Sequence, residues 1–389
     1  MQEISSSAFA DSKPHYELLD GLRGVAALVV IWYHIFEAFA TSPVDQHVNH
    51  GYLAVDFFFI LSGFVIGYAY DDRWKTSLTT KSFFKRRLIR LHPMVVMGVV
   101  LGVAAYCIQG CVRWDGTHMA TSMIMLAMLL NLFLLPVMPG AGADVRGNNE
   151  MFPLNGPNWS LFFEYIGNIL YAFLFRRMST KVLTACVVFF GAGLAVFAVG
   201  NFSDYGHLGV GWTLIDNNLA GGLLRLLFAF CIGLLMSRKF SPIPVHGAFW
   251  ICSGAVVVLL ALPHWGADAF WLNGLYDAVC VIILFPCLVY LGDIHAEEKK
   301  ITILPNARAP AGLCKFLGDI SYPIYVVHYP FAYLFYAWTW SSSEKRTFAE
   351  TWPVALLLFF GSIALTYAIL KVYDEPVRRW LTRRFMNRK

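Results

Sequence analysis

Apolar stretches of bilayer length occupy nearly all of this 389-residue chain, which leaves it few folds to adopt. An α-helix crossing a hydrocarbon core about 30 Å thick needs about 20 apolar residues, and in lipid every backbone polar group must find its partner inside the segment. Candidate spans fall at 22–40, 51–70, 89–107, 120–137, 157–175, 182–200, 218–236, 246–262, 273–291, 316–338 and 352–372. The joins between them are mostly too short for a second domain. The sequence therefore predicts an all-α, polytopic transmembrane bundle forming a single integral-membrane domain over 1–389, with a flexible N-terminus at 1–15 and a basic tail at 378–389. The composition agrees, because 58% hydrophobic and 14% charged residues compare with about 25% charged in soluble domains.

Positive charge is gathered in the loops. It lies at Arg73 to Arg90, at Arg176-Arg177 with Lys181, at Arg238-Lys239, at Lys299-Lys300 with Arg308, and from Arg378 to Lys389. The positive-inside rule puts all of these on the cytoplasmic face of the cell's inner membrane, with both termini inside. Three candidates, 89–107, 120–137 and 157–175, lie between the first two basic loops, and only an even number of crossings can join loops on one side. Segment 120–137, which closes on Pro136 and Pro139, is taken as re-entrant or interfacial, so about ten crossings are expected. The net charge of +5 comes without a basic stripe interleaved with aromatics, which argues against nucleic acid. The eight cysteines show no C-x-x-C and no Cys/His ligand spacing, so packing is expected and no metal. Ala38-Phe39-Ala40 imitates a signal-peptidase site, but His34 and Glu37 interrupt the apolar region before it, and an uncleaved first helix is expected.

Polar groups inside the spans are expensive and normally functional. Arg23 and His34 are eleven residues apart, which returns them to one helix face and separates them by roughly 16 Å. His34 is thereby expected near mid-bilayer. Arg87 and Arg90, three apart, present two guanidinium forks suited to phosphate oxygens, although a simple lipid-headgroup anchor uses the same residues. Asn158-Trp159-Ser160-Leu161-Phe162-Phe163-Glu164 puts Ser160 and Glu164 one turn apart, with Asn168 a turn further on. Glu164 must be protonated, paired or wet, and tying helices together would satisfy it equally. Gly318-Asp319-Ile320-Ser321-Tyr322 leads to a second deep histidine, His328. Tyr322, Tyr325 and Tyr329 at helical spacing read as packing, and His34 taken alone reads equally well as a hydrogen-bonded core histidine. Asp56, Arg225 and Tyr373-Asp374-Glu375-Pro376 complete the polar set.

Together these residues resemble the acyltransferase-3 family of integral-membrane acyltransferases. Leu19-Asp20-Gly21-Leu22-Arg23-Gly24 leading to His34 is similar to that family's Arg-x10-His signature, and Arg87-x-x-Arg90 to its cytoplasmic Arg-x-x-Arg. Trp159-Ser160-Leu161-x-x-Glu164, the segment from Asp319 to His328, and Glu375-Pro376 also match, in order, over roughly residues 16 to 380. The resemblance implies transfer of an acyl group from cytoplasmic acyl-CoA to a hydroxyl on a cell-envelope sugar or polysaccharide precursor. It implies a histidine base, here His34, and arginines at the acyl-CoA. Glu37, a turn beyond His34, and His92, just after Arg90, depart from the common pattern.

The chemistry stands beside the resemblance. Moving an acyl group from a thioester to a hydroxyl needs a base near neutral pKa, donors for phosphate and exclusion of water. His34 is expected as the catalytic base, Arg87 and Arg90 to hold the nucleotide phosphates, and Arg23 to sit nearer the pantetheine arm. Glu164 is assigned to orienting the acceptor or supporting the imidazolium, and Asp20, Trp159, Ser160, Asp319, Tyr322 and His328 to supporting or acceptor-binding places. Acyl-CoA, with acetyl as the expected acyl group, is a co-substrate, and no bound cofactor or metal is expected. The partners are then acyl-CoA, a carbohydrate or lipid-linked glycan acceptor and the bilayer, with homo-oligomerisation left open. Two rivals from other classes use the same residues. A proton-coupled transporter or flippase would use His34, Glu164 and His328 as a relay, and a membrane cytochrome would use His34 and His328 as haem ligands.

Overall fold

The computed structural model describes residues 16–41, 45–240, 243, 245–265, 269–291, 301–302, 311–341 and 345–386. The N-terminal segment 1–15, the basic residues Lys299, Lys300 and Arg308, and the last three residues of the tail lie outside them. The helices are α1 (Glu17–Glu37), α2 (Ala54–Tyr70), α3 (Thr80–Ile108), α4 (Thr121–Leu132), α5 (Asn158–Phe173), α6 (Thr180–Val199), α7 (Asn218–Lys239), α8 (Ala248–Ala261), α9 (Phe270–Val279), α10 (Phe285–Tyr290), α11 (Ala311–Trp340), α12 (Phe348–Ile369) and α13 (Glu375–Phe385). Single π-turns at Cys280–Leu284 and Leu370–Asp374 join α9 to α10 and α12 to α13. Among the described residues, the strands are confined to a two-residue parallel pair, β1 (Val245–His246) with β2 (Ile301–Thr302).

Among the described residues, seven helical segments, at 17–37, 51–75, 80–108, 180–199, 218–239, 270–290 and 348–385, are long and apolar enough to cross a membrane. This is a multi-pass membrane protein. Helix α4 has 12 residues, about 18 Å at 1.5 Å per residue, too short for a hydrocarbon core about 30 Å thick. Trp114 before it and Arg146 after it are joined by a backbone hydrogen bond of 3.1 Å, so the excursion returns to the end it left.

Helix α1 lies along α11 and α8. A Cβ at Gly24 would strike Leu317, and one at Gly63 or Gly233 would strike the backbone of the facing helix in the α2–α7 pair. Small residues let backbones approach where burial in lipid supplies no hydrophobic drive. The other end of the α2–α7 pair carries a fully buried ion pair. Arg225 Nη2 donates to Asp56 Oδ2 at 2.6 Å and to Tyr52 O at 2.8 Å, and Nη1 donates to Val210 O at 2.6 Å.

Among the described residues, the other four basic segments meet at one end of the bundle. Arg238 Nε reaches Asp71 Oδ2 at 2.5 Å and its Nη1 reaches Met178 O at 3.0 Å, while Lys85 Nζ reaches Phe385 O at 3.2 Å. This is the basic end below. Helix α1 runs away from it, starting five residues earlier and ending three residues earlier than the hydropathy window of 22–40. Glu17 and Asp20 occupy its first turn, where carboxylates favour the helix dipole, and hydropathy alone is blind to that. His34 falls in the last turn of α1, well away from the basic end.

Candidate active site

Helices α1, α2, α3, α5 and α11 enclose a cavity of about 110 Å³ lined by Arg23, Ser62, Arg87, Arg90, Ser160, Glu164, Tyr322 and Tyr325 among others. Arg87 is buried and fully engaged: Nη2 donates to Glu164 Oε1 at 2.5 Å and Nε donates to Asn168 Oδ1 at 2.6 Å. Ser62 Oγ donates to the same Glu164 oxygen at 2.6 Å, and Asn168 Nδ2 donates to Glu164 O at 2.6 Å. Glu164 is therefore a partner of Arg87.

Arg90 is different. It is exposed and lines the cavity. No carboxylate forms an ion pair with it among the described residues, and the cations near it are Arg23, Arg87 and Arg378. Arg23 has Asp20 at 3.5 Å. A cavity with this much positive charge and one carboxylate is an anion site.

The cavity stops at Tyr325. Its Oη shares a hydrogen bond of 2.8 Å with Ser160 Oγ, and its ring stands edge-on to Phe58 at 5.7 Å. Beyond it lies His328, ring centroids 6.3 Å apart, and then His34, 5.4 Å from His328. His34 faces α11, with Tyr329 edge-on at 4.6 Å. Its Nδ1 lies 2.8 Å from Glu37 Oε2, and Tyr336 Oη donates to that oxygen at 2.9 Å and to His34 O at 2.7 Å. His328 is fully buried; its Nδ1 bonds Ile324 O at 2.8 Å and its Nε2 has no partner.

The remaining sequence-selected residues lie apart from this line. Asp319 is bound to Lys315 at 2.8 Å outside the cavity, and Trp159 lies over the Arg225 guanidinium at 5.3 Å, bracing the buried ion pair. Tyr322 is on the cavity wall, its Oη held by Leu91 O at 2.6 Å. Sequence reasoning passed over Ser62 and gave Tyr325 only a packing role. The helical spacing of Tyr322, Tyr325 and Tyr329 was the available signal for Tyr325, and a lone serine in an apolar helix offered none.

A third polar group sits between α3, α5 and α11, at the end away from the basic loops. Arg146 is fully buried, 3.4 Å above the Tyr333 ring, with Nε donating to Pro153 O at 2.6 Å and Nη1 to Gln109 Oε1 at 2.7 Å. Tyr333 Oη donates to Glu150, which also accepts from Asn148 Nδ2 at 2.8 Å. Among the described residues, no group of His, Cys, Asp and Glu could hold a metal ion.

A cavity lined by three guanidiniums, with two histidines beyond its Tyr325 wall, sits inside a multi-pass helical bundle, and the sequence comparisons say which class of protein this is. The family model described as "Acyltransferase domain", for the acyltransferase-3 family, matches residues 16–371. The chain belongs to that family and is an O-acyltransferase. It is 35% identical over 193 residues to "Protein 2 in picA locus" of Rhizobium radiobacter, covering 48% of this chain and 95% of that protein. It is 26% identical over 396 residues to "Acyltransferase MdmB" of Streptomyces mycarofaciens, covering 94% and 92%. A Staphylococcus aureus protein provisionally named an O-acetyltransferase is 38% identical over 96 residues, which is 23% of this chain and 14% of that one. No solved structure matches.

Proposed function

We propose that this acyltransferase moves an acyl group, acetyl being the expected one, from cytoplasmic acyl-CoA to a hydroxyl of a cell-envelope carbohydrate or glycolipid, with His34 as general base. The observation that carries the reading is the placement of Arg23 and His34 on one helix: Arg23 lines the cavity nearer the basic end, and His34 stands eleven residues on, toward the opposite end. Ten crossings with both termini cytoplasmic follow if the basic end faces the cytoplasm and α4 is re-entrant. Phosphates of the donor then bind Arg90 and Arg23, while Glu164 and Asn168 hold Arg87's fork in place. The pantetheine arm extends along α1 past Tyr325 toward the imidazole. His34 takes the proton of the acceptor hydroxyl as its oxygen attacks the thioester carbonyl; the carbon–sulfur bond breaks, and the imidazolium returns the proton to the leaving thiolate. The product is an ester and the free thiol.

The test is acceptor acylation by His34→Ala at matched protein levels in membranes, with acyl-CoA as donor. Loss of about a hundredfold or more is expected. Full activity removes His34 from the chemistry, and activity independent of acyl-CoA removes the donor. Mass spectrometry of surface glycans with and without the protein identifies the acyl group and its carrier together.

A further inference from the structure

We infer that Glu37 is the positioning residue for His34, holding its imidazole in one tautomer and one orientation, with Tyr336 holding Glu37 in turn. The inference rests on the function proposed above and adds a residue to it. An ionised Glu37 is acceptor-only, so the 2.8 Å contact with His34 Nδ1 requires that nitrogen to carry the hydrogen, leaving the lone pair on Nε2. No hydrogen bond engages Nε2 among the described residues, and the side chain keeps 16% of its surface. A base oriented by a third group is the arrangement that activates a hydroxyl elsewhere.

A surface pair three residues apart on a helix would have the first contact but not the second. Tyr336 comes from α11, and its hydroxyl reaches both the Glu37 carboxylate and the His34 carbonyl, at 2.9 and 2.7 Å. That fixes the carboxylate from a different helix. Glu37 is also the last residue of α1, the dipole end that disfavours a carboxylate, while a protonated His34 in the same turn is favoured. The pair is therefore arranged to welcome a charge on the imidazole. Other titratable groups around it are Tyr33 on α1, His328, Tyr329 and Tyr333 on α11, and Glu150 with Arg146 before α5.

The experiment compares Glu37→Gln, Tyr336→Phe and wild type in membranes or detergent, reading kcat, the KM for acyl-CoA, and the pH profile. Glu37→Gln keeps the shape and removes the charge. It is expected to lower kcat at least about tenfold and to alter the pH profile of kcat, while leaving the KM for acyl-CoA unchanged, because the Nδ1 hydrogen loses its charged acceptor. Glu37→Asp restores part of kcat, and Tyr336→Phe gives a smaller drop in the same direction. A second readout needs no activity: ¹⁵N NMR of His34 shows Nδ1 protonated in wild type and mixed tautomers in Glu37→Gln. Wild-type kcat with an unmoved pH profile in Glu37→Gln, or Nε2 protonated in wild type, overturns the inference. If His34→Ala is fully active, the proposed function itself has failed, and the two failures are thereby told apart.

Discussion

Tyr325 Oη and Ser160 Oγ lie 2.8 Å apart, joining α11 to α5 at the point where the arginine cavity ends. In the function proposed above, a thioester held by the arginines passes this contact to reach His34, and the tyrosine ring would then limit what can follow the sulfur.

Replacing Tyr325 therefore changes selectivity. Tyr325→Ala is expected to raise kcat/KM for propionyl-CoA relative to acetyl-CoA by about tenfold, one methylene admitted to an apolar pocket being worth about 1–3 kcal/mol. Tyr325→Phe keeps the ring and loses one hydrogen bond, so the ratio stays near wild type. Paired kinetics with the two donors read the effect; an unchanged ratio in Tyr325→Ala removes Tyr325 as the limiting wall.

The two arginines of the Arg-x-x-Arg pair are expected to fail differently. Arg90 has no carboxylate partner among the described residues, so Arg90→Ala should leave the melting temperature within a few degrees of wild type while raising the KM for acyl-CoA tenfold or more. Arg87→Ala strands Glu164 against Ser62 and Asn168 in a buried place. Breaking a buried pair from one side costs about 3–5 kcal/mol, and the melting temperature should fall with it. Thermal scans beside donor titrations separate them; equal loss of stability in both variants would make Arg90 structural as well.

How much of this was visible in the sequence depends on what each residue needed to reveal itself. Period and length alone placed all eleven apolar segments on helices, and charge in a span marked Arg23, Arg87 and Glu164, which the structure brings to one cavity. The cost of burying a charge is local, so it can be read without a fold. Partnership is not local. Glu164 was assigned to orienting the acceptor or supporting the imidazolium, and the partner the fold gives it is Arg87, seventy-seven residues away in sequence. Asp319 matched a family segment yet points out to Lys315. Hydropathy windows also slide past the acidic turn that starts α1, so the helix begins five residues before the window and His34 falls in its last turn.

Glu150 gives a pH dependence whose sign can be worked out. It lies between α4 and α5, and burial pushes its carboxyl up to about 7, against the opposing pull of the Tyr333 hydrogen bond and Arg146. Unfolded, the group titrates near its ordinary 4.5, so between about 4.5 and 7 the folded protein holds more protons than the unfolded chain. Stability attributable to this residue is then greatest below that window and declines as the pH rises through it. Glu150→Gln cannot ionise and should flatten that component. Melting temperatures measured in detergent from pH 5 to 8 are expected to fall by several degrees more in wild type than in Glu150→Gln, with the curves converging at the acidic end. Parallel curves over the whole range would mean that the carboxyl is ionised and compensated throughout, with Arg146 rather than the proton supplying its counter-charge.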